Sequence, residues 1–94
     1  MAMKETVVPG ENKADIFLFT LSTCVWCKKT KQFLKDLGVR YQYVNVDELE
    51  GEERKEALDR LQKWNPRPSY PTIVINNSQC IVGFKEKEIK EALQ

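Results

Sequence analysis

The chain has 94 residues, 41% of them hydrophobic, and its 15 basic and 14 acidic side chains leave a formal net charge of +1. This size predicts one compact domain, and the near-neutral charge excludes the basic footprint of a protein that binds nucleic acid or an anionic membrane. The chain contains no histidine, which excludes a Ser-His-Asp triad, a Cys-His pair and a histidine zinc site.

The N-terminal residues 1–13 are mostly polar, and they contain neither the apolar core of a signal peptide nor a run long enough to span a membrane. We expect them to form a flexible segment before a single domain at residues 14–94. We also expect the protein to be a monomer in the cytoplasm, without a membrane or nucleic-acid partner.

The first elements of the domain follow from its hydrophobic pattern. Residues 16–19 are fully apolar, which is typical of a central strand covered on both faces. Apolar residues at helical spacing predict a helix over 24–37, which ends at a left-handed Gly38. Residues 41–46 are rich in aromatic and β-branched side chains and predict a second strand, parallel to the first.

The second half of the chain continues the alternation of predicted strands and helices. An amphipathic pattern predicts a helix over 50–64, and the prolines of residues 65–71 predict a rigid connector after it. Residues 72–75 and 80–82, joined by an asparagine-rich turn, predict an antiparallel hairpin, and residues 86–93 predict a final helix. The order β-α-β-α-β-β-α indicates an α/β fold with four strands and three helices.

Two cysteines three positions apart, Cys24 and Cys27, stand at the start of the first predicted helix. Positions i and i+3 share a helix face, so their thiols can meet the geometry of a disulfide. Unpaired N–H groups at the helix start favour a thiolate at Cys24, which makes it the candidate nucleophile. In a reducing cytoplasm such a pair is typical of catalysis or metal binding rather than of a structural disulfide.

Three cysteines without a histidine do not complete a four-ligand metal site, so we predict no metal ligands in one chain. Cys80 lies in a predicted strand, and two interpretations of it stay open: a packed small residue, or a redox-sensing or intermolecular thiol. Lys28, Lys29 and Lys31 follow the cysteine pair, and we interpret them as a solvated helix face without a catalytic role.

The motif Cys24-Val25-Trp26-Cys27, the element order and the strand-leading Tyr70-Pro71-Thr72 together resemble the glutaredoxin family of the thioredoxin fold, over residues 15–93. The resemblance implies a thioredoxin-like mixed sheet, a cis-proline at Pro71 and thiol–disulfide oxidoreductase activity. It also implies that Cys24 and Cys27 form a redox-active disulfide, with no tightly bound cofactor.

The resemblance further implies a substrate-binding surface around the cysteines. Tyr70, Pro71 and Thr72 would offer backbone groups to an extended, cysteine-containing substrate, as in β-augmentation. Trp26 would be an exposed contact beside Cys24, although aromatic residues on helix stripes are more often buried. Gly83 would belong to the same surface. The implied substrates are protein or small-molecule disulfides, and the implied partners are disulfide-containing proteins, with ribonucleotide reductase among the candidates.

The electron donor is left open by two departures from the glutathione-using members of that family. Leu21 stands three positions before the first cysteine, where those members usually carry a basic residue. Gly83-Phe84 stands where they commonly carry a double glycine, and it is closer to the small redoxins that serve ribonucleotide reductase. The donor is therefore glutathione, another small thiol or a flavoprotein of the thioredoxin-reductase type.

One alternative function also stays open. Some glutaredoxins hold an iron–sulfur cluster bridged between two copies with added thiols, and the bridging cysteine here would be Cys24.

Overall fold

The structure, a computed structural model, describes residues 5–93. Its strands are β1 (Thr6–Val8), β2 (Ile16–Thr20), β3 (Tyr41–Asn45), β4 (Thr72–Ile75) and β5 (Gln79–Val82). Its α-helices are α1 (Val25–Asp36), α2 (Gly51–Trp64) and α3 (Glu86–Ala92), and a short 3-10 helix covers Val46–Glu48. None of the helices within the described residues has the length and hydropathy of a membrane-spanning segment.

All five strands form one sheet in the order β1-β3-β2-β4-β5. Strands β2 and β3 are parallel and are joined through α1, whereas the other neighbouring strands are antiparallel. Asn76 and Asn77 turn the β4–β5 hairpin with φ angles of 54° and 51°, as a type I′ turn requires. The predicted α/β fold with a mixed sheet is confirmed, but the predicted number of strands is wrong, because the sheet has five.

The additional strand, β1, lies in the N-terminal segment that we expected to be flexible, and it pairs with β3. The backbone after β1 is also hydrogen-bonded to the turn between α1 and β3. The Glu11 N–H donates to the Gly38 carbonyl at 2.7 Å, and the Arg40 N–H donates to the Glu11 carbonyl at 2.8 Å. This part of the segment is therefore attached to the domain. The first four residues lie outside the described residues. An edge strand of three residues, of which only Val8 is half-buried, is too short to show a hydrophobic pattern that predicts it.

The sheet separates two hydrophobic clusters. The cluster on the side of α1 and α3 contains Ile16, Leu18, Leu34, Val39, Tyr41, Ile73, Ile75, Ile81 and Ile89. The cluster on the side of α2 contains Phe19, Val44, Val46, Leu49, Ala57, Leu61 and Val74. Successive residues of a strand point to opposite faces, so β2 contributes to both clusters. This confirms that residues 16–19 are wholly apolar because both faces of β2 are covered.

Gly10 provides a test of how firmly the N-terminal segment is held. A Cβ atom at this position would lie 2.5 Å from the Val39 carbonyl carbon and 2.7 Å from the Arg40 nitrogen. We expect Gly10→Ala to lower the free energy of unfolding by roughly 1–3 kcal/mol, as overpacking commonly does. Urea denaturation measures this change.

Glu11→Ala is the matched control, because the Glu11 side chain is exposed and its backbone hydrogen bonds remain. We expect the control to be close to wild type in stability. A Gly10→Ala variant as stable as the control would contradict close packing between the segment and the domain.

Candidate active site

Cys24 is the N-cap of α1 and ends the loop that leaves β2. Its backbone is extended (φ −86°, ψ 116°), and its Sγ accepts a hydrogen bond from the Cys27 N–H at 3.1 Å. N-cap acceptors are usually the oxygens of Ser, Thr, Asp or Asn. Here a sulfur takes that place, and the bond strengthens as the sulfur gains negative charge. The helix start therefore holds the sulfur of a residue that is only partly buried.

Cys27 lies in the first turn of α1, and its side chain is fully buried. Burial and the hydrogen bond with Cys24 raise the pKa of Cys27 to about 12, and the charge of Cys24 adds to this effect. The Leu21 backbone and the charge of Lys31 act in the opposite direction. The structure therefore brings the two predicted cysteines together but gives them different environments: one sulfur is accessible, and the other is a buried thiol at neutral pH.

The connector between α2 and β4 passes opposite Cys24. The Tyr70–Pro71 peptide bond is cis, and the Tyr70 carbonyl oxygen lies 3.9 Å from Cys24 Sγ. Pro71 is buried directly after it. Thr72 is also fully buried, and its hydroxyl donates to the Ser69 carbonyl at 2.8 Å. Tyr70 thus presents a backbone group at the site, whereas the Thr72 side chain is used to hold the connector.

Gly83 joins this connector from the end of β5. Its N–H donates to the Pro71 carbonyl at 2.8 Å, and its φ angle is +89°, a region that favours glycine. A Cβ atom at Gly83 would meet nothing within 4 Å, so backbone conformation rather than space requires the glycine. The bond places the β5–α3 loop beside the cis-proline, and with it the next residue, Phe84.

An aromatic row extends from the cysteines towards α3. Trp26 is 57% exposed, which makes it a surface residue beside Cys24 rather than part of the core. Its ring centroid lies 6.2 Å from that of Phe84, which in turn lies 5.6 Å from that of Phe33. Phe33 and Phe84 also pack against the cluster under α1 and α3. Phe84 therefore contacts the core and supports the exposed indole.

The loop before Cys24 is held by a pair of residues that the sequence analysis missed. The Ser22 N–H donates to Asp47 Oδ1 at 2.9 Å, and the Ser22 hydroxyl donates to Asp47 Oδ2. These bonds lower the pKa of Asp47. Ser22 follows β2 and Asp47 follows β3, so both come from the carboxyl ends of neighbouring parallel strands. Their positions directly after two parallel strands are the feature of the sequence from which this contact could be predicted.

Cys80 is half-buried on β5 opposite Val74, towards the hairpin turn and away from Gly83. Burial raises the pKa of its thiol. Within residues 5–93, no three Cys, Asp or Glu side chains come together in a group that could hold a metal ion. A cluster bridged between two copies through Cys24 is not tested by this observation and stays a prediction.

Comparison with known proteins agrees with this geometry. The family model described as Glutaredoxin matches residues 16–81. The crystal structure of a glutaredoxin from Methanosarcina mazei Go1 is 52% identical, with a TM-score of 0.88 over 95% of this chain and 86% of that one. Methanoredoxin from Methanosarcina acetivorans is 52% identical, with a TM-score of 0.86 over 89% and 88%. A glutaredoxin-like 8.6 kDa protein in the rubredoxin operon of Clostridium pasteurianum is 32% identical over 80 residues, which are 84% of this chain and 97% of that protein.

The contact between Ser22 and Asp47 predicts a pH dependence of the loop. Because the pKa of Asp47 is lowered in the folded protein, its hydrogen bonds are complete above the ordinary carboxyl pKa and are lost as pH falls through the lowered value. We expect the Ser22 amide to be protected from hydrogen exchange at neutral pH and to lose protection severalfold on acidification. NMR-detected exchange, corrected for intrinsic rates, measures this.

Asp47→Ala should remove the protection of the Ser22 amide at every pH, because the acceptor is gone. Asp59→Ala, an exposed carboxylate on α2, serves as the control and should leave it unchanged. Equal protection in Asp47→Ala and wild type would show that the carboxylate does not hold the loop in solution.

Proposed function

Because the chain belongs to the glutaredoxin family of thiol–disulfide oxidoreductases, we propose that it reduces protein disulfides with Cys24 as nucleophile and Cys27 as resolving thiol. One observation carries this proposal: Cys24 is partly exposed and its Sγ accepts the Cys27 N–H, whereas the Cys27 thiol is buried with its pKa raised to about 12. A substrate disulfide can approach only the first of these sulfurs.

In the first step, the Cys24 thiolate attacks one sulfur of the substrate disulfide. A bond forms between Cys24 Sγ and that sulfur while the substrate S–S bond breaks, and the second substrate sulfur leaves as a thiolate that takes a proton from water. The Cys27 N–H keeps the attacking sulfur in place before the reaction. The product is a mixed disulfide between Cys24 and the substrate.

In the second step, the Cys27 thiol gives its proton to water and its sulfur bonds to Cys24 Sγ. The bond between Cys24 and the substrate breaks, and the substrate sulfur leaves as a thiolate that takes a proton from water. Cys27 is tethered in the same helical turn, so its effective concentration at the mixed disulfide is high. The step leaves a Cys24–Cys27 disulfide, which an external donor reduces back to the dithiol. The cycle requires no tightly bound cofactor.

The surface around Cys24 supports a protein rather than a small molecule as substrate. Val25 and Trp26, which directly follow Cys24, are 62% and 57% exposed, so two apolar side chains are available for contact next to it in the sequence. On the other side, the Tyr70 carbonyl offers a backbone acceptor to an extended substrate, and Gly83 adds no side chain that would obstruct it. We propose disulfide-containing proteins as substrates, with ribonucleotide reductase as a candidate.

The electron donor in this proposal is a flavoprotein of the thioredoxin-reductase type or a small thiol other than glutathione. Leu21 packs against the hydrophobic cluster under α2, so an apolar side chain stands where the glutathione-using relatives usually carry a cation for a carboxylate. We place the protein as a monomer in the cytoplasm, where a reducing environment maintains the dithiol.

Substitution of single cysteines separates the two roles. We expect Cys24→Ser to abolish disulfide reduction, because no accessible nucleophile remains. Cys27→Ser should accumulate the mixed disulfide with a peptide substrate, which mass spectrometry of the unreduced protein detects. Cys80→Ser is the control and should retain turnover, since Cys80 lies towards the far end of the hairpin. Equal loss of activity in all three variants would contradict the division of roles.

A comparison of donors tests the source of electrons. The reduction of a disulfide-containing peptide is monitored through the consumption of NADPH. One assay contains glutathione and glutathione reductase, and the other contains a thioredoxin reductase. We expect faster turnover with the flavoprotein, because Leu21 provides no charge for the glutathione carboxylate. Leu21→Lys should raise turnover with glutathione. Faster turnover of the wild type with glutathione would refute the proposed donor.

A further inference from the structure

A polar network lies under the first turns of α1, at the carboxyl ends of β2 and β3. Thr20 is fully buried, and its hydroxyl lies 2.6 Å from Asn45 Oδ1 and 3.0 Å from the Val44 carbonyl. The same Asn45 oxygen accepts a hydrogen bond from Lys31 Nζ at 3.2 Å. Asn45 Nδ2 donates to Glu48 at 3.0 Å, so the amide is held from both ends. The network therefore fixes where the Lys31 ammonium lies.

Lys31 differs from the lysines around it. Lys28 and Lys29 are exposed, as a solvated helix face predicts, whereas Lys31 is half-buried. Its Nζ lies 3.8 Å from the centre of the Tyr43 ring, in addition to its bond with Asn45. Lys31 follows Cys27 by four positions, so the two residues share one face of α1. The fixed ammonium is thus on the side of the helix that carries the buried thiol.

Lys31 is coupled electrostatically to both cysteines and to two nearby carboxylates. Partial burial lowers the pKa of Lys31, whereas a thiolate at Cys27 raises it, as do the negative charges of Glu48, Cys24 and Asp47. Because Cys27 is a neutral thiol at neutral pH, its attraction to Lys31 acts only when the thiolate forms. The titratable groups that face the Cys27–Lys31 pair are Cys24 from α1, Tyr41 and Tyr43 from β3, Asp47 and Glu48 from the 3-10 helix and Tyr70 from the connector. Lys31 is the cation in this group.

We propose that Lys31 is a positioning residue for the second chemical step: it is the fixed cation that favours the thiolate of Cys27 when Cys27 attacks the mixed disulfide. This inference rests on the proposed function. The Cys27 thiol gives its proton to water, its sulfur bonds to Cys24 Sγ, and the bond between Cys24 and the substrate breaks. The electron pair leaves on the substrate sulfur, which takes a proton from water.

The mixed disulfide is the state in which this cation matters most. Before the reaction, the hydrogen bond with Cys24 and the charge of Cys24 both contribute to the raised pKa of Cys27. Once Cys24 is bound to the substrate, its sulfur carries neither a charge nor a proton, so these two contributions end. Burial still disfavours the Cys27 thiolate, and the charge of Lys31 still favours it.

The test uses a symmetrical aromatic disulfide whose released thiol is coloured, mixed with the reduced protein in a stopped-flow instrument. The first release reports attack by Cys24, and the second reports resolution by Cys27. Every variant carries Cys80→Ser, so that the third thiol does not contribute. We expect Lys31→Met to slow the second release about tenfold at neutral pH and to shift its pH profile upward by about one unit.

Two matched variants separate charge from packing. Lys31→Arg keeps the cation and should retain most of the second rate, while Lys28→Met removes an exposed cation of the same helix and should change neither release. The first release should change much less than the second in Lys31→Met. If Lys31→Met does not fold, Lys31→Gln repeats the comparison, because its amide removes the charge and remains polar.

The inference is overturned if Lys31→Met resolves at the wild-type rate with an unchanged pH profile, if both releases slow equally, or if Lys31→Arg slows the second release as much as Lys31→Met. Failure of the proposed function gives a different result. In that case the wild-type protein shows no second release, and it does not reduce disulfide-containing peptides.

Discussion

The hydrogen bond from the Cys27 N–H to Cys24 Sγ is the contact on which the candidate site depends. It makes Cys24 Sγ the N-cap of α1, so the helix cannot begin elsewhere without moving the proposed nucleophile. It also connects the two cysteines directly, because Cys27, the proposed resolving residue, donates the bond. The helix start, the accessible sulfur and the buried sulfur are therefore parts of one local arrangement.

The rest of the fold brings other segments to that helix end. Parallel pairing places the ends of β2 and β3 side by side, so that Ser22 and Asp47 meet and hold the loop before the cysteines. The Gly83 N–H bonded to the Pro71 carbonyl aligns the hairpin with the connector. The site is thus formed by backbone contacts between loops, and the two hydrophobic clusters keep the strands under those loops in register.

Most helices and strands could be predicted from local sequence patterns, because each is determined by residues that are close together in the chain. The apolar residues of β2, the helical spacing in α1 and the asparagine-rich turn each depend on a few neighbouring residues. Strand β1 was missed because its three residues have exposed or half-exposed side chains and obtain their hydrogen bonds from β3, more than thirty positions away. The 3-10 helix at Val46–Glu48 was missed because it continues directly from a β-rich segment.

The sequence by itself determined the chemistry at the helix start, since the spacing of Cys24 and Cys27 and the preceding strand place a thiol at an N-cap. Only the tertiary structure decided that Trp26 is exposed, that the Tyr70 carbonyl faces Cys24 and that one lysine of α1 turns inward. Lys28 and Lys31 are the same residue type on the same helix. Their difference comes from β3, which presents Tyr43 and Asn45 to only one of them, and such contacts between distant parts of the chain leave no local pattern.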